Sequence, residues 1–114
     1  MRALRLKSGT KNKYGAETTA VDNIKFDSKA EARRYGELKL LERAREIFDL
    51  QIHPRYKIFI SSHFICDVEL DFAYIDRRDG RRHHEDVKGK DTPMSKLKRK
   101  MVEAAHNIKV EIIK

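Results

Sequence analysis

Several features that would place the chain in other classes of protein are missing from its sequence. Cys66 is the only cysteine among 114 residues, which excludes an internal disulfide and a zinc site built on several thiolates. No apolar run is as long as a membrane-spanning helix requires, which is about 18 residues. The basic N-terminus lacks the apolar segment of a secretory signal. We find no internal repeat and no low-complexity segment. These absences predict one soluble domain in a reducing, cytoplasmic setting, without a membrane partner.

Acidic residues are outnumbered by basic ones, 18 to 26, which gives a net charge of +8. A basic balance of this size indicates a polyanionic partner, and nucleic acid is the first candidate. Residues 1–13 carry basic side chains and no acid, so they form a predicted basic N-terminal arm. This arm either contacts phosphates or only keeps the protein soluble, and the sequence leaves both interpretations open.

The clearest element of the sequence is a helix that begins after Ser28 and runs to about Glu46. Ser28-Lys29-Ala30-Glu31 fits the capping box, in which the serine caps the helix and Glu31 reaches back to the cap amide. An apolar stripe at helical spacing follows, formed by Tyr35, Leu38, Leu41 and Ala44.

Three strands are predicted after this helix, over residues 51–60, 67–75 and 81–88. His53-Pro54 indicates an edge or a bulge in the first strand. In the second strand, Val68, Leu70, Phe72 and Tyr74 are expected on one face, and Asp67, Glu69, Asp71 and Ala73 on the other. A turn at 77–80, which contains Asp-Gly, joins the second strand to the third.

A second helix and a last strand complete the expected fold. Thr92-Pro93 predicts a capped helix start, and Asn107 is expected to end the helix. The predicted apolar stripe consists of Met94, Leu97, Met101, Ala104 and Ala105. Residues 108–113 form the last strand. The fold class is therefore α/β, a small mixed sheet flanked by helices in the order α-β-β-β-α-β.

The residues that carry chemistry lie on the predicted hairpin. Asp86 and Lys88 are two residues apart on one strand and share a face, while Asp71 lies on the polar face of its partner. Hydrolysis of a phosphodiester needs carboxylates to hold a hard cation, and a lysine to assist the water or offset phosphate charge. The alternative for Asp86 and Lys88 is an exposed ion pair without function, and Asp71 could pair with a nearby arginine.

This pattern resembles the signature of the PD-(D/E)XK nuclease superfamily. The resemblance rests on Asp71, fourteen intervening residues that include a turn, and then Asp86-Val87-Lys88. The stretches 26–35 and 85–89 also resemble small bacteriophage proteins of that superfamily, which includes junction resolvases. The likeness spans residues 14–114 and implies a restriction-endonuclease-like core. For a phage-encoded protein the setting would be the host cytoplasm.

The resemblance also implies roles for individual residues. Asp71 would be the central metal ligand, Asp86 the second ligand and the Val87 carbonyl a backbone ligand, with Lys88 as the catalytic lysine. Glu31 would match an acidic residue that some members carry on the first helix. Leu70 stands where the proline that names the motif is expected. The implied cofactor is Mg²⁺, for which Mn²⁺ would substitute.

Other polar residues near this signature are candidates with alternative roles. Glu31 is explained equally well by the capping box and by an active-site role. Glu85 and His84 are second-tier candidates, because Glu85 points away from Asp86 in a regular strand while His84 shares its face. His53 is interpreted as a packed, hydrogen-bonded histidine.

The expected function is Mg²⁺-dependent cleavage of DNA, in which basic side chains bind the phosphates. The candidates for DNA binding are Lys90, Lys96, Lys98, Arg99, Lys100, Arg33 and Arg34. By analogy within the superfamily, the substrate would be branched DNA or a junction, or the enzyme would nick DNA, and it would act as a homodimer. The alternatives are a non-catalytic DNA-binding module and a nuclease subunit that is active only in a larger phage or transposition complex.

Overall fold

A computed structural model of the protein describes residues 19–114, which form two helices and eight strands. In chain order the elements are β1 (Thr19–Val21), β2 (Ile24–Phe26), α1 (Lys29–Arg43), β3 (Ile47–Ile52), β4 (Arg55–Ile60), β5 (His63–Glu69), β6 (Phe72–Asp76), β7 (Arg81–Val87), α2 (Pro93–His106) and β8 (Val110–Ile113). The predicted mixed α/β class is confirmed. The predicted basic arm, residues 1–13, lies outside the described residues.

A four-stranded mixed sheet with the order β3-β6-β7-β8 forms the centre of the described fold. β3, β6 and β7 pair in antiparallel fashion, and β8 pairs in parallel with β7. The pairs β1–β2 and β4–β5 form two further sheets of two strands each. The predicted turn after β6 is confirmed, and Gly80 takes a positive φ of 68° there, a conformation that glycine adopts without steric cost.

Helix α1 begins as the sequence predicts and ends earlier than expected. Ser28 is its N-cap, and the Ser28 hydroxyl accepts a hydrogen bond from the Glu31 amide at 3.1 Å. The helix ends at Arg43, and Arg45 takes a left-handed φ of 62° that turns the chain. Ile47 therefore belongs to β3, which starts four residues before the predicted strand at residue 51.

The first two predicted strands were wrong as continuous elements, because each divides into two. Residues 51–60 break at His53, whose φ is 55°, and at Pro54, which has no N–H to donate to a ladder. Residues 67–75 break at Leu70 and Asp71, between β5 and β6. The predicted common face is lost with this break, since Leu70 and Phe72 pack in different hydrophobic clusters.

Helix α2 has the predicted ends but a different buried face. Thr92 caps it with a 3.1 Å bond from the Ser95 amide, and Asn107 ends it in the left-handed conformation. The predicted apolar stripe is wrong in most of its members: Val102 is the buried residue of the helix, whereas Met94 and Leu97 are more than half exposed. Of the predicted stripe, Met101 is partly buried against the same cluster as Val102. Val102 packs against the β4–β5 hairpin, which the sequence did not place over this helix.

Two hydrophobic clusters hold the helices on the two faces of the central sheet. Phe72 and Tyr74 of β6 pack with Tyr35 and Leu38 of α1. The cluster under α2 joins Val102 to Val110 of β8 and to the β4–β5 hairpin. Among residues 19–114, no helix is long and apolar enough to cross a membrane.

Candidate metal centre

Antiparallel pairing brings the end of β7 beside the start of β6, and this edge of the sheet carries the candidate site. Asp71 directly precedes β6, and its amide donates to the Glu85 carbonyl at 3.1 Å. Asp86 lies at the end of β7, and Lys88 follows that strand. The proximity of Asp71 and Asp86 therefore follows from strand register.

Three side chains from three separate elements meet at this edge. Glu31 of α1, His53 after β3 and Asp71 each offer a ligand atom, and these atoms lie within 4.8 Å of one another. The His53 Nε2 atom lies 2.8 Å from the Glu31 Oε2 atom. The three side chains are buried or nearly so. This arrangement is a possible metal-binding group.

Glu31 takes both of the roles that the sequence left open. Its amide donates to the Ser28 hydroxyl, and its Oε1 atom accepts a 3.3 Å hydrogen bond from the Asp27 amide. The carboxylate thus caps the helix start one residue before the amide that the capping box predicts. Its second oxygen faces His53, so a capping role and a place in the metal-binding group are compatible.

Asp71 is held by the backbone around it and sits among other acids. Its Oδ2 atom accepts a 2.7 Å hydrogen bond from the Val87 amide. Burial raises the pKa of Asp71 to about 9, with further contributions from the charge on Glu31 and from the charge and hydrogen bond of Asp86, while the Val87 amide opposes the shift. A carboxyl in this setting gives up its proton readily only when a cation arrives.

Asp86 and Lys88 lie beside this group. The Asp86 carboxyl is within hydrogen-bonding reach of Asp71. Its Oδ2 atom lies 3.1 Å from the ammonium of Lys88, whose side chain is 24% exposed and reaches the surface. The structure brings the Val87 amide to the site. The ligand roles of Asp86 and of the Val87 carbonyl stay predictions.

The two second-tier candidates do not belong to the three-residue group. Glu85 is on the α1 face of β7, where it accepts 2.8 and 2.7 Å hydrogen bonds from Arg34 and one of 2.5 Å from the Tyr74 hydroxyl. These contacts give Glu85 a structural role, which is to tie α1 to the sheet. His84 is buried with its ring against Tyr56, and burial lowers its pKa.

The predicted DNA-binding residues differ in how freely they reach solvent. Arg34 pairs with Glu85 and Glu37, and Arg99 pairs with Asp91 at 2.8 Å. Exposed positions are held by Lys90, Lys96, Lys98, Lys100 and Arg33. The DNA-binding role of all seven residues stays a prediction.

His53 is a member of the metal-binding group that the sequence alone does not predict. The sequence predicts a packed, hydrogen-bonded histidine at this position, and this is confirmed by the contact with Glu31 and by the ring contact with Phe26; its place in the metal-binding group is not predicted. The break at Pro54 leaves His53 at the end of β3, where its amide donates to the Asp71 carbonyl at 2.9 Å. The His-Pro pair, from which the sequence predicts an edge or a bulge, is a signal that draws attention to this position.

The donor atoms fit a divalent cation. Carboxylate oxygens are the ligands that Mg²⁺ and Mn²⁺ prefer, and an imidazole nitrogen suits first-row transition metals. A set with two carboxylates and one imidazole therefore accepts Mn²⁺ more readily than an all-oxygen set does.

The fold and site define a mixed α/β domain with a buried acidic group suited to a metal ion. Residues 11–114 match the model of a family described as protein of unknown function, DUF1064, and the chain belongs to this family. Searches of curated proteins and of solved structures give no match.

The metal-binding group predicts a graded response to substitution at His53. We expect His53→Ala to weaken Mn²⁺ binding about 10–100-fold, because the imidazole either binds the ion or orients Glu31. His53→Gln keeps a donor that can reach Glu31, so it should retain more affinity than the alanine variant. Isothermal titration calorimetry without nucleic acid measures both. His63→Ala is the matched control, because it removes an exposed histidine of β5. Equal Mn²⁺ affinity in the wild type and in all three variants would contradict the prediction.

Proposed function

We propose that the protein is a metal-dependent endodeoxyribonuclease with a restriction-endonuclease-like core. The observation that carries the proposal is the convergence of Glu31, Asp71, Asp86 and Lys88, from a helix and two strands, at one edge of the central sheet. An ion pair without function accounts for the contact between Asp86 and Lys88, but it does not explain why Asp86 is buried with two further acids beside it.

The acidic residues of the site hold the cation in this proposal. Glu31 and Asp71 supply carboxylate oxygens, with His53 as a third donor, and Asp86 adds an oxygen from the neighbouring strand. When bound, Mg²⁺ or Mn²⁺ supplies Lewis-acid polarisation of the phosphate and makes a nearby water more acidic. The hydrogen bond from Val87 to Asp71 and the contact from His53 to Glu31 fix the two carboxylates in place.

Lys88 acts on the phosphate or on the attacking water. Its ammonium is held near the acidic group by Asp86 and still reaches solvent, which supports a contact with a phosphate oxygen of the bound DNA. A cation at this position offsets the charge that develops in the transition state and can orient the water through a hydrogen bond.

The exposed basic residues bind the DNA backbone in this proposal. Lys90 follows Lys88 closely in the chain, and Lys96, Lys98 and Lys100 lie on α2. Arg33 is exposed on α1, whereas the pairs of Arg34 and Arg99 must be shared or opened for phosphate contact. Such contacts position the strand without reading its sequence.

The test is cleavage of supercoiled plasmid and of a four-way DNA junction with Mg²⁺, with Mn²⁺ and with EDTA. We expect cutting with either metal and none with EDTA, and Lys88→Ala purified in the same way controls for contaminating nuclease. Salt-dependent binding without cutting under every metal would overturn the proposal and indicate a non-catalytic module or a subunit that needs partners.

A further inference from the structure

The β4–β5 hairpin extends directly from the candidate metal centre. β4 begins two residues after His53, and β5 ends two residues before Asp71. Backbone hydrogen bonds join the two strands at this end, which is the base of the hairpin. The His53 amide donates to the Asp71 carbonyl at 2.9 Å, and the Leu70 amide donates to the Pro54 carbonyl at 3.0 Å. The position of the hairpin is therefore fixed relative to the two candidate ligands.

The far half of this hairpin exposes a group of large apolar side chains. Nearer the base, Ile58 and Val68 are buried against α2. Beyond them Phe59 and Phe64 lie opposite each other with ring centroids 5.7 Å apart, and they are 52% and 53% exposed. The group, which we call the hairpin tip, consists of Phe59, Ile60, Phe64 and Ile65.

The hairpin tip has a cation beside it and carries no acid of its own. No acidic residue occurs from position 50 to position 66, and the next acid, Asp67, lies opposite Lys57 in the strand register. The Lys57 ammonium lies 5.7 Å from the centroid of the Phe64 ring. Aromatic rings that stack on bases, beside a cation that meets the phosphates, are what proteins use to hold unpaired nucleic acid.

The size of the hairpin tip argues against a second copy of the chain as its partner. Its four side chains are each about half exposed, which corresponds to roughly 100 Å² apiece and roughly 400 Å² together. A stable protein interface needs about 800 Å² on each partner. Stacking on one or two bases needs much less surface.

We propose that the hairpin tip stacks on unpaired bases of a nucleic-acid strand whose backbone runs to the metal centre. Phe59 is six positions after His53, so at the rise of a β-strand the tip lies at most about 20 Å from the site. Bases of an intact duplex already stack on one another, so the tip selects single strands or branch points. This inference rests on the proposed DNA-cleaving function and narrows its substrate.

The test is binding of fluorescein-labelled single-stranded, forked and duplex DNA by fluorescence anisotropy in EDTA, where no metal-dependent cutting occurs. For the double variant Phe59→Ala/Phe64→Ala we expect the Kd for the single strand and the fork to rise about tenfold or more. Duplex binding should change little, and the salt dependence should stay the same because no charge is removed.

Two further variants make the result specific to the tip. Phe59→Tyr/Phe64→Tyr keeps both rings and should retain the affinity of the wild type. Phe48→Ala removes another exposed aromatic, on β3 beneath Arg77, and should have no effect. An equal loss of single-strand and duplex binding would overturn the inference, and so would an unchanged affinity of the alanine variant for the single strand. In the second case, a wild-type dimer that this variant disrupts in light scattering would identify a second copy of the chain as the partner of the tip. Because binding is measured without metal, a result that contradicts base stacking by the hairpin tip is distinguishable from one that contradicts the nuclease proposal.

Discussion

The Asp71→Asn variant should lose metal-dependent cleavage, by about a thousandfold or more, and should at the same time be more stable than the wild type in EDTA. Asp71 links the two parts of the site, because it belongs to the metal-binding group and also contacts Asp86. Removing its charge removes a ligand. It also relieves the repulsion and the burial cost of a carboxylate held beside Glu31 and Asp86.

The gain in stability should depend on pH in a defined direction. The pKa of Asp71 is raised in the folded protein from 3.8 to about 9, so between these values the folded state holds a proton that the unfolded state has lost. The stability of the metal-free wild type therefore falls as pH rises from about 4 to about 9. The variant lacks this contribution, so its advantage should be small at pH 5 and largest near pH 9.

Thermal unfolding in EDTA, followed by circular dichroism, measures this difference. At about pH 9 we expect the Tm of Asp71→Asn to exceed that of the wild type by more than roughly 4–8 °C, which is the shift that about 1 kcal/mol produces in a domain of this size. Added Mn²⁺ should raise the Tm of the wild type alone. Asp67→Asn, which changes an exposed acid of β5, should alter neither activity nor this slope. A less stable or still active Asp71→Asn protein would contradict the proposed arrangement.

The elements with strong local signals could be predicted from the sequence. Ser28 and Thr92 mark the helix starts because a hydroxyl at the cap accepts a backbone amide, which is a local contact. The turn before β7 follows from Asp-Gly for the same reason. The proximity of Asp71 and Asp86 could also be predicted, since a hairpin places the start of one strand beside the end of the next.

The breaks in the strands and the non-local contacts could not be predicted. The alternation of residues 67–75 fits one strand, yet Leu70 packs with Val102 and Phe72 packs with Tyr35. These partners are distant in sequence, so no local pattern contains them. The same limit hid His53, which reaches the site only because β3 pairs with β6.

The exposed apolar residues of α2 show a related limit. Met94 and Leu97 have helical spacing, which predicted a buried stripe, but the hairpin covers the side of the helix that carries Val102. Periodicity shows that a helix is amphipathic, while the element that packs on it decides which apolar residues are buried. The position of the β4–β5 hairpin decided this, and no signal in the sequence of α2 specifies it.

Substitution of Lys88 should separate catalysis from metal binding. We expect Lys88→Ala to lower the rate of DNA cleavage about a hundredfold or more, the effect of removing a group that stabilises transition-state charge or assists the water. Metal affinity should be retained, because an ammonium contributes no ligand and its loss leaves the acids of the site in place. Single-turnover cleavage and calorimetric titration of Mn²⁺ give the two quantities.

The competing explanation, an ion pair with Asp86 and no function, predicts a different result. A pair in which Lys88 is partly exposed would contribute at most about 1 kcal/mol to stability, and its loss would leave the cleavage rate unchanged. Lys90→Ala is the matched control, since it removes an exposed lysine two residues along the chain. It should weaken DNA binding slightly and reduce its salt dependence without changing the rate of the bound complex. If Lys88→Ala behaved like Lys90→Ala, the metal-binding group would be unaffected, but the catalytic role proposed for Lys88 would be contradicted.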